Sequence, residues 1–171
     1  MSLLPLISVV LPGLCIVSTA FIEPVEVQRI MLSLIVLVPI CCDTAAYFGG
    51  SFLGKRKFCP EVSPKKTVEG AVCGMLGAIL CAGVVGIIAY YTCRNELLEI
   101  LPHWWTYVLL GVLGGAASQI GDLFASLVKR HCGIKDFSNL FPGHGGMLDR
   151  MDSILFMAVI VFCVCLLGSR F

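Results

Sequence analysis

The sequence predicts an all-α fold: a polytopic integral membrane protein with about five transmembrane helices. Three observations carry that prediction. Hydrophobic residues make up 58% of the chain and charged residues only 13%, whereas a soluble domain averages about 45–50% apolar and about 25% charged. The apolar residues are gathered into blocks, and a bilayer takes roughly 20 residues of helix to cross. The charged residues are gathered between those blocks. With a net charge of +1 and the bases confined to loops, no basic face is offered to nucleic acid, and no nucleic-acid partner is expected. The whole chain, 1–171, reads as a single membrane domain.

The first block, residues 3–22, contains Pro5, Pro12 and Gly13. No basic segment precedes Leu3, so it reads as a spanning helix kinked at Pro12 rather than a secretory leader. The link Glu23 to Arg29 leads to a second span, about Ile30 to Phe48, which turns polar at Asp43, Thr44 and Tyr47. Residues 49–69 form the first basic loop. Gly49 to Lys55 nearly spells a phosphate-binding P-loop, but Arg56 stands where Ser or Thr is required and no strand precedes it. We reject the P-loop. In Ser63-Pro64-Lys65-Lys66-Thr67-Val68-Glu69-Gly70 the Ser-Pro step breaks the chain and a helix is expected from about Thr67. Its free amides beside two lysines would suit phosphate, although paired lysines at a membrane face more often only set topology.

The third span, about 70–92, repeats Gly70, Gly74, Ala78, Ala82 and Gly86 every four residues. One small face of this kind lets a neighbouring backbone approach closely, and it suits a homodimer as well as internal contacts. Tyr90, Tyr91, Trp104, Trp105 and Tyr107 flank the next loop as interfacial aromatics. The fourth span, about 104–128, carries Gly114, Ser118, Asp122 and Ser126 on one stripe. The last runs from about Ile154 to Leu167. Ten cysteines include no C-x-x-C pair and lie mostly in apolar segments, where a thiol behaves as a small hydrophobe.

With five spans, Lys55, Arg56, Lys57, Lys65, Lys66, Lys129, Arg130, Lys135 and Arg150 fall on one side, against Arg29, Arg94 and Arg170 on the other. The positive-inside rule puts the richer side in the cytoplasm. The expected location is the cytoplasmic (inner) membrane, with Asp43, Asp122 and Asp149 at the cytoplasmic face.

The stretch Ser118 to Ser153 is where chemistry is expected. Charge so close to hydrocarbon is costly and tends to mark function. Asp122 and Asp149 are separated by a loop long enough to fold back. They could share a cation, since Mg²⁺ favours a few carboxylates plus phosphate oxygens; equally, each could pair with a neighbouring base. Both readings stand on spacing alone. His144, within Pro142-Gly143-His144-Gly145-Gly146, sits where backbone amides can face an anion. Lys129, Arg130, Lys135 and Arg150 could clamp a polyanion while also setting topology. His103 and His131 carry no such signal. No nucleophile–base dyad is readable around Ser118, Ser126 or Thr67, which disfavours a covalent serine mechanism.

The run Ser126-Leu-Val-Lys129-Arg130, then Lys135-Asp136, then Pro142-Gly-His144-Gly-Gly-Met-Leu-Asp149-Arg150-Met-Asp152 closely resembles the C-terminal signature of phosphatidate cytidylyltransferases (CDP-diacylglycerol synthases). Gln119-Ile-Gly121-Asp122-Leu, Ser63 to Gly70 and Asp43 to Tyr47 are similar to further blocks of that family, in its order. The resemblance covers roughly residues 35–155. It implies an integral membrane enzyme that joins CTP to phosphatidic acid, giving CDP-diacylglycerol and pyrophosphate for phospholipid biosynthesis. It also implies Mg²⁺, with a second cation, held by Asp122 and Asp149. Asp43, Lys65, Lys66, Lys129, Arg130, Lys135, His144 and Arg150 match motif positions suited to nucleotide and phosphate, beside Gly145 and Gly146.

Two departures stand out. The family usually has an acidic residue where this sequence has Ala125. Its members usually carry further N-terminal spans, so the chain is expected to correspond to the C-terminal catalytic core. The expected reaction is direct displacement at the α-phosphorus of CTP by the already anionic phosphatidate oxygen, with Asp122, Asp149, Lys129 and Arg150 as the catalytic set. A related CTP-dependent lipid enzyme (a polyprenol kinase or an ether-lipid cytidylyltransferase) is one alternative. An inactive or fragmentary membrane subunit is the other.

Overall fold

The computed structural model describes residues 4–59, 63–92, 104–131, 133 and 148–168. Among them are five helices and one hairpin: α1 (Leu4–Thr19), α2 (Val25–Leu53), β1 (Lys57–Cys59), β2 (Ser63–Thr67), α3 (Val68–Thr92), α4 (Trp104–His131) and α5 (Leu148–Gly168). The chain is an all-α membrane protein in its architecture. Helices α2, α3 and α4 are long and apolar enough to cross a membrane. The outer two of the five expected spans correspond to α1 and α5, whose apolar stretches, Val9–Thr19 and Met151–Leu167, are shorter.

The helices form a bundle in which α2 packs on α3, α3 on α4 and α4 on α5, while α1 leans on α5. Its core is built from Val27, Met31, Leu34 and Val38 of α2, Leu110 of α4, and Met157 and Val161 of α5. Helix α3 shows the division of labour most plainly. Its small stripe, Gly70, Gly74, Ala78, Ala82 and Gly86, is buried, whereas Val72, Leu76, Leu80, Val84 and Ile87 are exposed as a hydrocarbon-facing ridge. The stripe is filled from within the chain. A Cβ at Gly74 would stand 3.0 Å from both the Cys42 carbonyl oxygen and the Ala46 Cβ of α2. Reciprocally, one at Gly115 of α4 would stand 2.8 Å from the Ala78 Cβ. Absent side chains are what let α2 and α4 approach α3 closely.

The hairpin is a feature that periodicity did not announce, because three residues are too few to alternate visibly. Its strands are antiparallel, with Lys57 opposite Thr67 and Cys59 opposite Ser63. The hairpin is fastened to the start of α3. The Val68 N–H donates to the Arg56 carbonyl at 2.9 Å. Thr67 caps the helix, its Oγ1 accepting the Gly70 N–H at 3.1 Å. Glu69 Oε2 accepts the N–H groups of Lys55 and Arg56 at 3.2 Å each. These contacts correct one expectation. The amides of Val68 and Gly70 are bonded within the protein, so this helix start does not offer them to a phosphate; the Lys66 side chain remains in position to do so, and that of Lys65 lies outside the described residues.

Candidate active site at one end of the bundle

Antiparallel connections bring four chain ends together: the end of α2, the hairpin, the end of α4 and the start of α5. A cavity of about 480 Å³ opens between them, lined among others by Asp43, Tyr47, Lys66, Gln119, Asp122 and Asp152. Its size falls in the range of small-molecule sites, about 300–1,000 Å³. Phe58 of β1 and Thr67 of β2 complete the wall next to the hairpin.

Each polar group has an identifiable origin. Asp43 follows the buried Cys42 near the polar end of α2. Asp122 lies one turn beyond the fully buried Ser118 on the α4 stripe, its side chain partly exposed to the cavity. Gln119, on the same helix, donates from Nε2 to the Ala71 carbonyl of α3 at 2.9 Å, which fixes α4 against α3 beside the cavity. Ser126 spends its hydroxyl on the Asp122 carbonyl at 2.8 Å. On α5, Asp152 is 9% exposed and Ser153 only 2%. The Ser153 N–H donates to Asp152 Oδ1 at 2.7 Å.

The electrostatics follow from this convergence. Lys66 Nζ forms an ion pair with Asp122 Oδ2. The charge of Asp122 bears on both Asp43 and Asp152, and that of Lys66 also bears on Asp43. Lys129, on the last turn of α4, is near enough for its charge to act on Asp152. Three carboxylates against one paired lysine leave an excess of negative charge on the cavity wall. Carboxylates of like charge held close together are stable only when cations or hydrogen bonds compensate them.

The fit to a divalent cation can be judged from the donors. Among the described residues, no three His, Cys, Asp or Glu side chains are grouped to hold a metal by themselves. Mg²⁺ does not need such a cage, since it is commonly held by one or two carboxylates together with substrate phosphates. Among the described residues, Asp152 Oδ2 is buried and has no hydrogen-bond partner. A buried carboxylate oxygen without a partner is costly, and a hard cation or a water bound to one would satisfy it. The donor set therefore suits Mg²⁺.

Of the residues singled out by sequence, Asp43, Lys66 and Asp122 meet in this cavity. Lys129 and Arg130 sit at the end of α4 nearby, Arg130 exposed. Lys65 lies in β2, and Asp149 and Arg150 lie in the first turn of α5, with their side chains outside the described residues. Asp149 stands three positions before Asp152. Lys135, His144, Gly145 and Gly146 also lie outside the described residues. Sequence reasoning passed over Asp152, Ser153 and Gln119 as site residues. Asp152 closes the acidic run of the quoted signature, but its burial was not visible there. Ala125, where an acidic residue was expected, is buried at 7% exposure and adds no carboxylate.

Comparison with known proteins points the same way. The description "Cytidylyltransferase family" matches residues 1–167. Over 128 residues the chain is 42% identical to the phosphatidate cytidylyltransferase of Bacillus subtilis, covering 74% of this chain and 44% of that protein. It is 46% identical over 121 residues to the enzyme of that name from Synechocystis, covering 70% of this chain and 38% of the relative. A third, from Haemophilus influenzae, is 39% identical over 132 residues, covering 77% and 44%. The chain thus spans about two fifths of the length of the curated relatives it matches.

Proposed function

Because this chain belongs to the Cytidylyltransferase family, we propose that it transfers the cytidylyl group of CTP to phosphatidic acid, giving CDP-diacylglycerol and pyrophosphate. The observation that carries this reading is the meeting of Asp43, Lys66, Asp122 and Asp152, from four separate segments, on one cavity. A charged cluster beside apolar helices is costly, and it suits a reaction between a polyanion and a lipid headgroup.

In this reading the attacking phosphatidate oxygen is already an anion, so no strong general base is required. Catalysis comes from positioning and from charge neutralisation. Lys66 and Lys129 supply positive charge to the triphosphate and the lipid phosphate. Asp122, with Asp149 or Asp152, is the set that would hold Mg²⁺. When bound, Mg²⁺ would neutralise charge developing on the transferring phosphoryl group and the departing pyrophosphate. Ser153 holds Asp43 and Asp152 in register, and Gln119 braces α4 against α3. The exposed ridge of α3 keeps the cavity at the membrane, so acyl chains can remain in hydrocarbon while the phosphate enters.

The location proposed is the cytoplasmic membrane with the cavity facing the cytoplasm. The hairpin and the end of α4 carry Arg56, Lys57, Lys66, Lys129 and Arg130 at that end of the bundle, in keeping with the positive-inside rule. The test is incorporation of labelled CTP by the purified protein with Mg²⁺, offered phosphatidate, an ether-linked analogue or a polyprenol. Labelled CDP-diacylglycerol from phosphatidate alone is the expected product. Phosphorylated polyprenol, or no lipid product from any acceptor, would overturn the reading.

A further inference from the structure

The pairing of Lys66 with Asp122 has a consequence for how the cavity is loaded. Asp43 and Asp152 both lie within electrostatic reach of Asp122. Without the lysine ammonium, the three acids would face one another with one ammonium fewer, the charge of Lys129 acting on Asp152. Like charges held this close disfavour ionisation. The ammonium therefore stands in for a bound cation.

Its backbone is fixed while its side chain is not. Thr67 caps α3 directly after Lys66, and Glu69 holds the amides of Lys55 and Arg56, so the strand carrying Lys66 is tied down. The side chain itself is a flexible four-carbon stem ending in a point charge. It can leave Asp122 for another anion in the same cavity without any movement of the strand.

We propose that Lys66 is the exchangeable counter-ion of Asp122: it neutralises the carboxylate while the site is empty of nucleotide, yields it to a divalent cation, and moves to the anionic oxygens of the nucleotide. This rests on the reading of the cavity as a nucleotide site. The sign of the effect sets the exchange apart from simpler roles. A lysine that only contacts phosphate leaves cation binding unchanged in the absence of nucleotide. A lysine that only braces the fold weakens cation binding when removed. An exchangeable counter-ion competes with the cation, so its removal strengthens cation binding.

The experiment uses the full chain in detergent, with Mn²⁺ as the probe and free Mn²⁺ read by electron paramagnetic resonance. Without nucleotide, Lys66→Met is expected to bind Mn²⁺ roughly tenfold more tightly than the parent protein, equivalent to about 1.4 kcal/mol. With CTP present the order reverses. A second measurement needs no substitution. Acylation of Lys66 by an N-hydroxysuccinimide ester, read by mass spectrometry, should rise on adding Mn²⁺ and fall again on adding CTP. In Asp122→Asn, Mn²⁺ should no longer change it. Unchanged or weaker Mn²⁺ binding by Lys66→Met, or acylation that Mn²⁺ does not move, overturns the exchange. If Mn²⁺ acts as expected but CTP changes nothing, the exchange with the cation stands and the nucleotide assignment falls.

Discussion

Ser153 on α5 donates its hydroxyl to Asp43 Oδ2 on α2 at 3.4 Å, across 110 residues of chain. The Ser153 Oγ also lies 3.4 Å from Asp152 Oδ1. A hydroxyl has one proton to give and can serve only one carboxylate at a time. Ser153 therefore lies between two acids that would otherwise repel, and it joins the helix that begins within the signature to the helix that ends before the hairpin.

Replacing that hydroxyl tests the link. Ser153→Ala leaves both carboxylates without it in a position only 2% exposed. Losing a hydrogen bond to a charged group costs about 1.5–3 kcal/mol. Cytidylyl transfer should fall by roughly tenfold or more, while the helical circular dichroism of the purified protein stays at the parent value. Full activity in Ser153→Ala would show that the acids hold their places unaided.

Removing the cation, or a carboxylate that would hold it, should stop the reaction. Asp122→Asn is expected to lower the rate by about 10²–10³, the usual loss when one preorganised electrostatic group is deleted. Chelation by EDTA should abolish incorporation of labelled CTP, and added Mg²⁺ should restore it. Activity that survives chelation would rule out a dissociable divalent cation.

The mooring of the hairpin predicts an effect on nucleotide binding rather than on the chemical step. Glu69→Ala frees the amides of Lys55 and Arg56 and loosens the strand that carries Lys66. The KM for CTP should rise several-fold with a smaller change in kcat, because the loss is one of positioning. Thr67→Ala removes the cap on α3 and should lower stability by about 1 kcal/mol. An unchanged KM for CTP in Glu69→Ala would count against the mooring.

Two glycines should answer oppositely to the same substitution. At Gly115 a Cβ would stand 2.8 Å from that of Ala78, whereas at Gly83 nothing lies within 4 Å. Gly115→Ala must push α4 away from α3, and overpacking of this kind costs about 1–3 kcal/mol. Its unfolding midpoint in detergent should drop by several degrees, at roughly 2–4 °C per kcal/mol for a chain of this size. Gly83→Ala should leave the midpoint unchanged or raise it, since alanine favours helix.

Topology can be read with a protease. A cleavable epitope inserted next to Lys57 should be cut in inside-out vesicles of the cytoplasmic membrane and protected in right-side-out ones. The reverse pattern would place the cavity on the outer face.

Much of this protein was legible in the linear chain. The apolar blocks fix the spans, since hydrocarbon leaves the backbone no partner but itself, and the small stripe from Gly70 to Gly86 announced a buried face on α3. The polar signature picked out Asp43, Lys66, Asp122 and Lys129 by residue type and spacing. Other features could not be read that way. Asp152 and Ser153 looked like the boundary of a span, because burial is a property of neighbours and not of position in the chain. The hairpin was hidden because its strands are too short to show a period and its residues are those of an ordinary basic loop. Nor could spacing say which base stands beside Asp122. That choice depends on which helix ends lie side by side, and only the folded bundle, with α2 and α4 drawn against α3, brings Lys66 within reach of that carboxylate.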